Sequence, residues 1–227
     1  MKYIKKGEEP EKFVVWKALV NDDWKPEWNN FQPPEKPVVH DALLKEQGYI
    51  CCYCGMGIIK ESSHIEHFKP RRGYPDLALE YSNLIASCQG EREEPPTVPV
   101  HCGHQKKHWY DEKLMVSPLE MSCGDFFKYS AAGEILATDE LEKKDAAKES
   151  IEKLALNISK LQNMRKVAIE AVLLGIEELT KEEIQQLIYG YGQLDSNGKY
   201  TPFCAAIAYF FHNYFSTPYG NNNSYHS

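Results

Sequence analysis

The 227-residue sequence lacks the features that would indicate a membrane protein, a secreted protein, a nucleotide hydrolase or a repeat protein. No stretch approaches the roughly 18 consecutive apolar residues that a membrane helix needs. No apolar run follows the lysines of residues 1–8, so we expect no signal peptide. A glycine-rich phosphate-binding loop is also lacking, which argues against nucleotide hydrolysis by this chain alone. We find no internal repeat.

Positive charge is scarce as well. The chain has 26 Lys and Arg residues against 33 Asp and Glu residues, which gives a net charge of -7. This balance argues against a general nucleic-acid coat, so any contact with nucleic acid must come from a local basic patch or a partner subunit. The composition, 42% hydrophobic and 12% aromatic, predicts a globular protein with a real core.

Cysteine is present in an odd number, seven. Without an export signal, this predicts a cytoplasmic protein whose thiols are reduced and bind metal rather than form disulfides. Cys51 and Cys54 have a two-residue spacer, which lets both sulfurs reach one tetrahedral ion. Cys88 and Cys102 flank a charged, proline-rich stretch and can complete a structural zinc site. The competing ligands are Cys52, His101 and Cys123.

A second set of possible ligands combines histidine with glutamate. His104 and His108 are four residues apart in a helix that we predict from Gly103 to about Tyr110, so both side chains should point to one side. With Glu66 as a third ligand, such a site would keep positions open for water and substrate, as catalytic metal sites do. Oxygen and nitrogen ligands suit Mg²⁺, Mn²⁺, Zn²⁺ or Ni²⁺, and the sequence does not choose among them.

The stretch from residue 63 to residue 70 places two imidazoles and a carboxylate within four positions. In a regular strand Glu66 and His67 point to opposite faces, so both can serve one site only at a strand edge or irregularity. His64 lies on the same face as Glu66 and is an alternative metal ligand.

The remaining segments are assigned by periodicity and by turn signals. We predict helices at residues 10–20 and 38–47, and a helix start where Thr180 and Glu183 can form a capping box. Residues 138–179 form either one long helix or two helices with a break near Asn157. Short strands are predicted at 58–59 and 64–68, whereas 81–87 is either extended or a turn. Residues 22–37 form a linker rich in Trp and Pro.

Four pieces of this sequence occur in the order that resembles HNH nucleases of the ββα-metal class. They are Cys51-x2-Cys54, Glu66-His67-x2-Pro70, Asn83-Leu84-x3-Cys88 and Cys102-x-His104-x2-Lys107, within about residues 47–108. The stretch between Cys88 and Cys102 is longer than in many members, and one residue separates Cys102 from His104 where the family often has none. The flanking sequence resembles the PtuB family of Septu-type and retron-associated antiphage systems.

The resemblance implies a role for each matched residue. His67 would be the general base, and Glu66, His104 and His108 would bind the catalytic divalent metal. Asn83 would tie down the loop between the strands and help to hold the base. Local phosphate contacts would come from Lys69, Arg71, Arg72, Lys106 and Lys107.

The resemblance also implies a fold and partners. The expected fold is α+β and mostly helical, with a small ββα-metal core and zinc knuckle at residues 49–110 between helical segments at 1–48 and 111–227. The partners would be a PtuA-like ATPase subunit and a DNA or RNA substrate, and a retron reverse transcriptase with its RNA–DNA is left open. The alternatives are a zinc-stabilised adaptor that binds nucleic acid or protein without catalysis, and a zinc hydrolase for a small substrate.

Overall fold

A computed structural model describes residues 1–89, 99–174, 176 and 179–216. This part of the chain contains seven α-helices and four short β-strands. The helices are α1 (Glu11–Lys17), α2 (Glu35–Glu46), α3 (Cys102–Lys106), α4 (Leu141–Lys153), α5 (Ser159–Leu173), α6 (Lys181–Tyr191) and α7 (Cys204–Ser216). The strands are β1 (Ser63–His67), β2 (Leu84–Cys88), β3 (Phe127–Tyr129) and β4 (Ile135–Ala137). No helix among these residues is long and apolar enough to cross a membrane.

The strands form two separate antiparallel pairs, β1 with β2 and β3 with β4. Glu66 lies opposite Ile85, and His67 lies opposite Leu84. The mixture of helices with small sheets confirms the α+β prediction. The β3–β4 pair lies in the region that the sequence assigns to helices, because two three-residue strands around a turn at Gly133 are too short to show an alternating pattern.

The strand predicted at residues 58–59 is not formed. Ile58 and Ile59 are not in a strand, and their neighbourhood contributes only the single bridge between Ile50 and Gly57. Residues 84–88 form the partner strand instead, and all five are buried. A strand that is buried on both faces shows no alternation of polar and apolar residues, which is why this segment could be read as a turn.

Helix α3 is shorter than predicted. It ends at Lys106, and the next residue, Lys107, has a φ of 52°, which turns the chain out of the helix. His108 therefore lies beyond the helix. The predicted arrangement of His104 and His108 one helical turn apart on a common face is wrong, because it requires a helix that continues past both residues.

The core packed against the β1–β2 sheet contains residues from all three segments predicted from the sequence, 1–48, 49–110 and 111–227. One cluster of buried apolar residues extends from Met1 to Leu156 along the sequence. The Gln47 side chain, at the end of α2, accepts a hydrogen bond from the Ala86 N–H at 2.6 Å and donates one to the Ala86 carbonyl at 2.8 Å. The Cys102 N–H donates to the Leu154 carbonyl at 2.8 Å, which fixes the start of α3.

Two predictions for the C-terminal region are confirmed. Of the two alternatives for residues 138–179, the structure contains the two helices, α4 and α5, with the break near Asn157. Thr180 caps α6: its hydroxyl accepts a hydrogen bond from the Glu183 N–H at 3.2 Å, and the Glu183 carboxylate accepts one from the Thr180 N–H at 2.8 Å. Buried residues of α5 and α7, with Ile176 between them in the sequence, form a second apolar cluster.

Candidate active site and metal centre

The four cysteines predicted to bind zinc come together in the structure. The sulfurs of Cys51, Cys54, Cys88 and Cys102 all lie within 4.8 Å of one another. The first pair lies in the turn after α2, Cys88 ends β2, and Cys102 begins α3. A tetrahedral zinc ion with Zn–S bonds of about 2.3 Å requires sulfurs about 3.8 Å apart. The sulfurs of Cys54 and Cys88 are 3.9 Å apart, so this set fits a zinc ion.

The three alternative zinc ligands, Cys52, Cys123 and His101, lie outside the four-sulfur cluster. Cys52 is buried outside the four-sulfur set, and burial together with the adjacent Cys51 raises its pKa well above the usual value. Cys123 is buried near the N-terminal amine. His101 touches the cluster without joining it: its Nδ1 lies 3.2 Å from the Cys102 sulfur and 3.5 Å from the Cys88 sulfur. It can therefore donate a hydrogen bond to a metal-bound thiolate.

Glu66 lies at the centre of a second polar group on one face of β1. Its Oε1 accepts a hydrogen bond from the Lys106 ammonium at 2.7 Å, and its Oε2 lies 3.5 Å from His64 Nε2. The His64 and His104 rings are 4.3 Å apart. Burial raises the pKa of Glu66, but His64 and Lys106 outweigh that effect, and the pKa falls below its usual value. Glu66 is therefore an anionic carboxylate beside two imidazoles.

Gly103 makes room for this group. A Cβ atom at residue 103 would lie 2.7 Å from Glu66 Oε2 and 2.8 Å from His64 Nε2, closer than real Cβ atoms approach. Two candidate ligand atoms therefore converge on a space that only glycine leaves open. Their chemistry, one carboxylate oxygen and one imidazole nitrogen, fits a divalent cation.

Lys106 has a different place from the one expected. The family resemblance implies a phosphate contact for Lys106, but its side chain has no exposed surface. Its ammonium donates to Glu66 Oε1 at 2.7 Å and to the His67 carbonyl at 2.9 Å. Because the ammonium is fully buried and bonded, Lys106 orients Glu66 instead of contacting a substrate.

His67 points away from Glu66, as alternation along a strand requires. Its Nε2 lies 3.0 Å from the Ala78 carbonyl oxygen, and its ring meets the Trp28 ring edge-on at 4.2 Å. Burial lowers the pKa of His67 to about 4, so the ring is neutral at pH 7. A carbonyl oxygen only accepts hydrogen bonds, so Nε2 carries the proton and Nδ1 keeps its lone pair.

Asn83 holds the loop that carries Ala78. Its side chain accepts a hydrogen bond from the Lys69 N–H at 2.8 Å and donates to the carbonyls of Lys69 and Leu77, at 3.0 and 3.1 Å. Leu77 immediately precedes Ala78. Asn83 is buried and holds both ends of the loop, so it fixes the carbonyl that orients His67.

One cavity joins these groups. Its volume is about 890 Å³, and both faces of β1 contribute to it, because among the described strands β1 pairs only with β2 and leaves one edge open. Its walls include the side chains of His64, Glu66, His67, His104 and His108, and five cationic residues: Lys36, Lys60, Arg71, Arg72 and Lys107. A local basic patch therefore exists on a chain of net charge -7.

Lys69 is not among the described residues that line this cavity. Its ammonium lies 5.4 Å from the Tyr74 ring centroid and 5.5 Å from that of Tyr110. Conversely, several lining residues are not predicted from the sequence, among them Trp28, Lys36, His40 and Lys60. They lie outside the HNH-like pieces, and the only signal near the first two is the density of Trp and Pro at residues 22–37.

Comparisons with curated proteins identify the family, although no protein-family profile matches the chain. The "Retron Vc95 putative HNH endonuclease" of Vibrio cholerae is 32% identical over 157 residues, covering 67% of this chain and 73% of that protein. The "Retron Ec83 putative HNH endonuclease" of Escherichia coli is 26% identical over 206 residues, covering 73% and 78%. The "Septu protein PtuB" of Bacillus thuringiensis is 28% identical over 124 residues, covering 48% of each. The chain belongs to the HNH endonuclease family of retron and Septu type.

Proposed function

We propose that this chain is a metal-dependent HNH endonuclease that hydrolyses the phosphodiester bonds of nucleic acid. The observation that supports the proposal is the protonation and hydrogen bonding of the His67 ring. A neutral imidazole, fixed through Nε2 by the Ala78 carbonyl, keeps Nδ1 unprotonated in a cavity lined by five cations. Its unprotonated Nδ1 can accept a proton from water at neutral pH, and the lowered pKa makes it a weaker base than an ordinary histidine.

The proposed reaction gives each of these groups one role. His67 takes a proton from a water molecule, whose oxygen attacks phosphorus while the bond to the leaving oxygen breaks, and the leaving oxygen takes a proton from a second water molecule. Asn83 keeps the base oriented through the loop that carries Ala78. Arg71, Arg72 and Lys107 hold the phosphates on either side, because exposed cations supply most contacts to a nucleic-acid backbone.

The residues that would hold the catalytic cation are Glu66, His64 and His104, with His108 at the cavity wall as a further ligand. The support is the carboxylate oxygen and the ring nitrogen that converge in front of Gly103. A bound divalent cation would stabilise the negative charge that develops on the phosphate and on the leaving oxygen, a contribution of several kcal/mol. Lys106 holds the other carboxylate oxygen and so presents Oε2 to the cation site.

The four-cysteine cluster is proposed to hold a structural zinc ion. It joins the turn after α2, the end of β2 and the start of α3. Strand β2 pairs with the strand that carries Glu66, and α3 carries His104, so the cluster helps to fix these two residues relative to each other. Residues 49–110 would thus form a ββα-metal core between the segments at 1–48 and 111–227. Asn83, His67 and the cation ligands all lie within that core.

The biological setting is proposed from the relatives. The names of two relatives contain "retron", and a third is a Septu PtuB protein. We infer that this chain is the effector nuclease of a cytoplasmic antiphage complex, held by a PtuA-like ATPase and, in a retron setting, by a reverse transcriptase with its RNA–DNA. Co-expression with a PtuA-like ATPase of the same organism, followed by gel filtration, tests this assembly. Separate elution of the two proteins would contradict it.

Cleavage of DNA and RNA panels tests the nuclease proposal. The purified chain, alone and with its ATPase, is incubated with labelled substrates and with Mg²⁺, Mn²⁺, Zn²⁺ or Ni²⁺. We expect cleavage of at least one substrate class, dependent on added metal. Tight binding without cleavage under all these conditions would contradict the proposal and favour the zinc-stabilised adaptor.

The same assay on Gly103→Ala tests the cation site. The new methyl group displaces the free ends of the Glu66 and His64 side chains, which can move without unfolding the core. A misplacement of about 1 Å costs about 100-fold in rate, and we expect a loss of that size with zinc content unchanged. The matched control is Gly190→Ala in α6, where a Cβ meets nothing within 4 Å. Equal activity of both variants would exclude this cation site.

A further inference from the structure

The cavity wall beside His67 includes an aromatic ring that no HNH-like piece supplies. Trp28 begins a single 3₁₀ turn, Trp28–Asn30, in the N-terminal segment. A hydrogen bond from the Glu27 N–H to the Asn30 side chain, at 2.8 Å, closes this turn. The half-buried indole lines the cavity, and its ring centroid lies 4.2 Å from that of His67.

The indole is anchored from behind by a buried aromatic cluster. The Trp28 ring lies 5.4 Å from the ring of Phe31, which has no exposed surface. Phe31 in turn packs against Phe13 at 4.7 Å and Trp16 at 5.1 Å. A ring supported in this way offers a fixed surface to a ligand, since little side-chain entropy remains to be lost on binding.

Two flexible cations lie over the indole. The Arg71 guanidinium carbon is 5.1 Å from the Trp28 ring centroid, and the Lys36 ammonium is 5.7 Å from it. Arg71 is exposed and Lys36 is half-buried. Cation–π contacts near the protein surface are weak, so a phosphate can draw both side chains off the ring. Aromatic rings flanked by cations are the combination that binds single-stranded nucleic acid.

We propose that Trp28, with Arg71 and Lys36, forms a stacking platform for an unpaired nucleotide beside the bond that is cut. The substrate would then be single-stranded or locally unpaired nucleic acid. In a duplex the faces of each base are covered by its neighbours, so the indole has no base face to stack on. Arg71 and Lys36 take the phosphates that flank the stacked nucleotide. The inference rests on the proposed nuclease function, because it assigns the cavity to substrate.

Equilibrium binding without added divalent metal tests the platform separately from cleavage. Fluorescence anisotropy would compare a labelled 20-nucleotide single strand with the same strand in a duplex, for the full chain and for Trp28→Leu and Trp28→Phe. Stacking on one aromatic ring is worth about tenfold or more in affinity. We expect Trp28→Leu to lose about tenfold for the single strand and less than about twofold for the duplex, and Trp28→Phe to retain most of the affinity.

The matched control is Trp24→Leu, which removes an indole of the same segment that is not among the described residues lining the cavity. It should leave both affinities within about twofold of the wild type. Equal losses for single strand and duplex in Trp28→Leu, or a lower cleavage rate with unchanged affinity, would overturn the platform. Single-strand preference without any cleavage would instead contradict the nuclease function and leave the platform standing.

Discussion

Replacement of His67 by alanine should lower the single-turnover cleavage rate by about 10²–10⁴-fold, the usual contribution of a general base. The ring is the only part of the residue that is removed, and the backbone carbonyl that binds Lys106 remains. Substrate affinity and zinc content should therefore change little. Quench-flow or gel assays at saturating enzyme measure the rate, and circular dichroism checks the fold.

The control for this variant is His212→Ala, which removes an exposed imidazole from α7. It should cleave at the wild-type rate, since His212 is not among the described residues that line the cavity. Cleavage by His67→Ala within about threefold of wild type would show that another group removes the proton. A loss of activity accompanied by loss of zinc would point to misfolding, and Asn83→Ala could then be used to disturb the base indirectly.

Removal of one cysteine ligand should unfold the chain. Structural zinc contributes about 10–16 kcal/mol of apparent binding free energy, whereas a whole domain is stable by only about 5–15 kcal/mol. Cys88→Ala leaves three sulfurs for the ion and separates β2 from α3, which the cluster joins. We expect a loss of bound zinc and no cooperative thermal transition. Metal analysis and thermal unfolding followed by circular dichroism measure both.

Cys204→Ala provides the matched control, because Cys204 is buried but lies outside the four-sulfur set. It should keep one zinc ion per chain and lose no more than about 1 kcal/mol, the cost of a small cavity. If Cys88→Ala melted at the wild-type temperature without zinc, the cluster would be a group of buried thiols with no structural metal.

The sequence predicts correctly those features that depend on residues close to one another in the chain. The two-residue spacer between Cys51 and Cys54 and the capping pair of Thr180 with Glu183 predicted what the structure contains. The sequence also predicts the second cysteine pair, although it leaves open whether residues 81–87 are extended or form a turn. Sulfur is rare enough that the remaining ligands could be chosen by residue type without knowing the fold.

Signals that depend on long-range packing were missed. The length of α3 is set by the turn at Lys107, and no proline or glycine marks that position. The burial of Lys106 depends on Glu66, which is 40 residues away in the sequence. Trp28 lines the cavity and packs against Phe31, which belongs to an aromatic cluster formed by distant residues. Periodicity cannot show such contacts, because it describes one element at a time.

The protonation state of His67 is the most direct test of the account, because the base must be neutral with Nδ1 free. Nitrogen-15 NMR of the zinc-loaded chain distinguishes the two tautomers and follows the ring through a pH titration. We expect a proton on Nε2 at pH 7 and a protonation midpoint at about pH 4, since burial lowers the pKa of His67 to about 4. A proton on Nδ1 at pH 7, or a midpoint at about 6.5, the ordinary value for histidine, would contradict the assignment of His67 as the base.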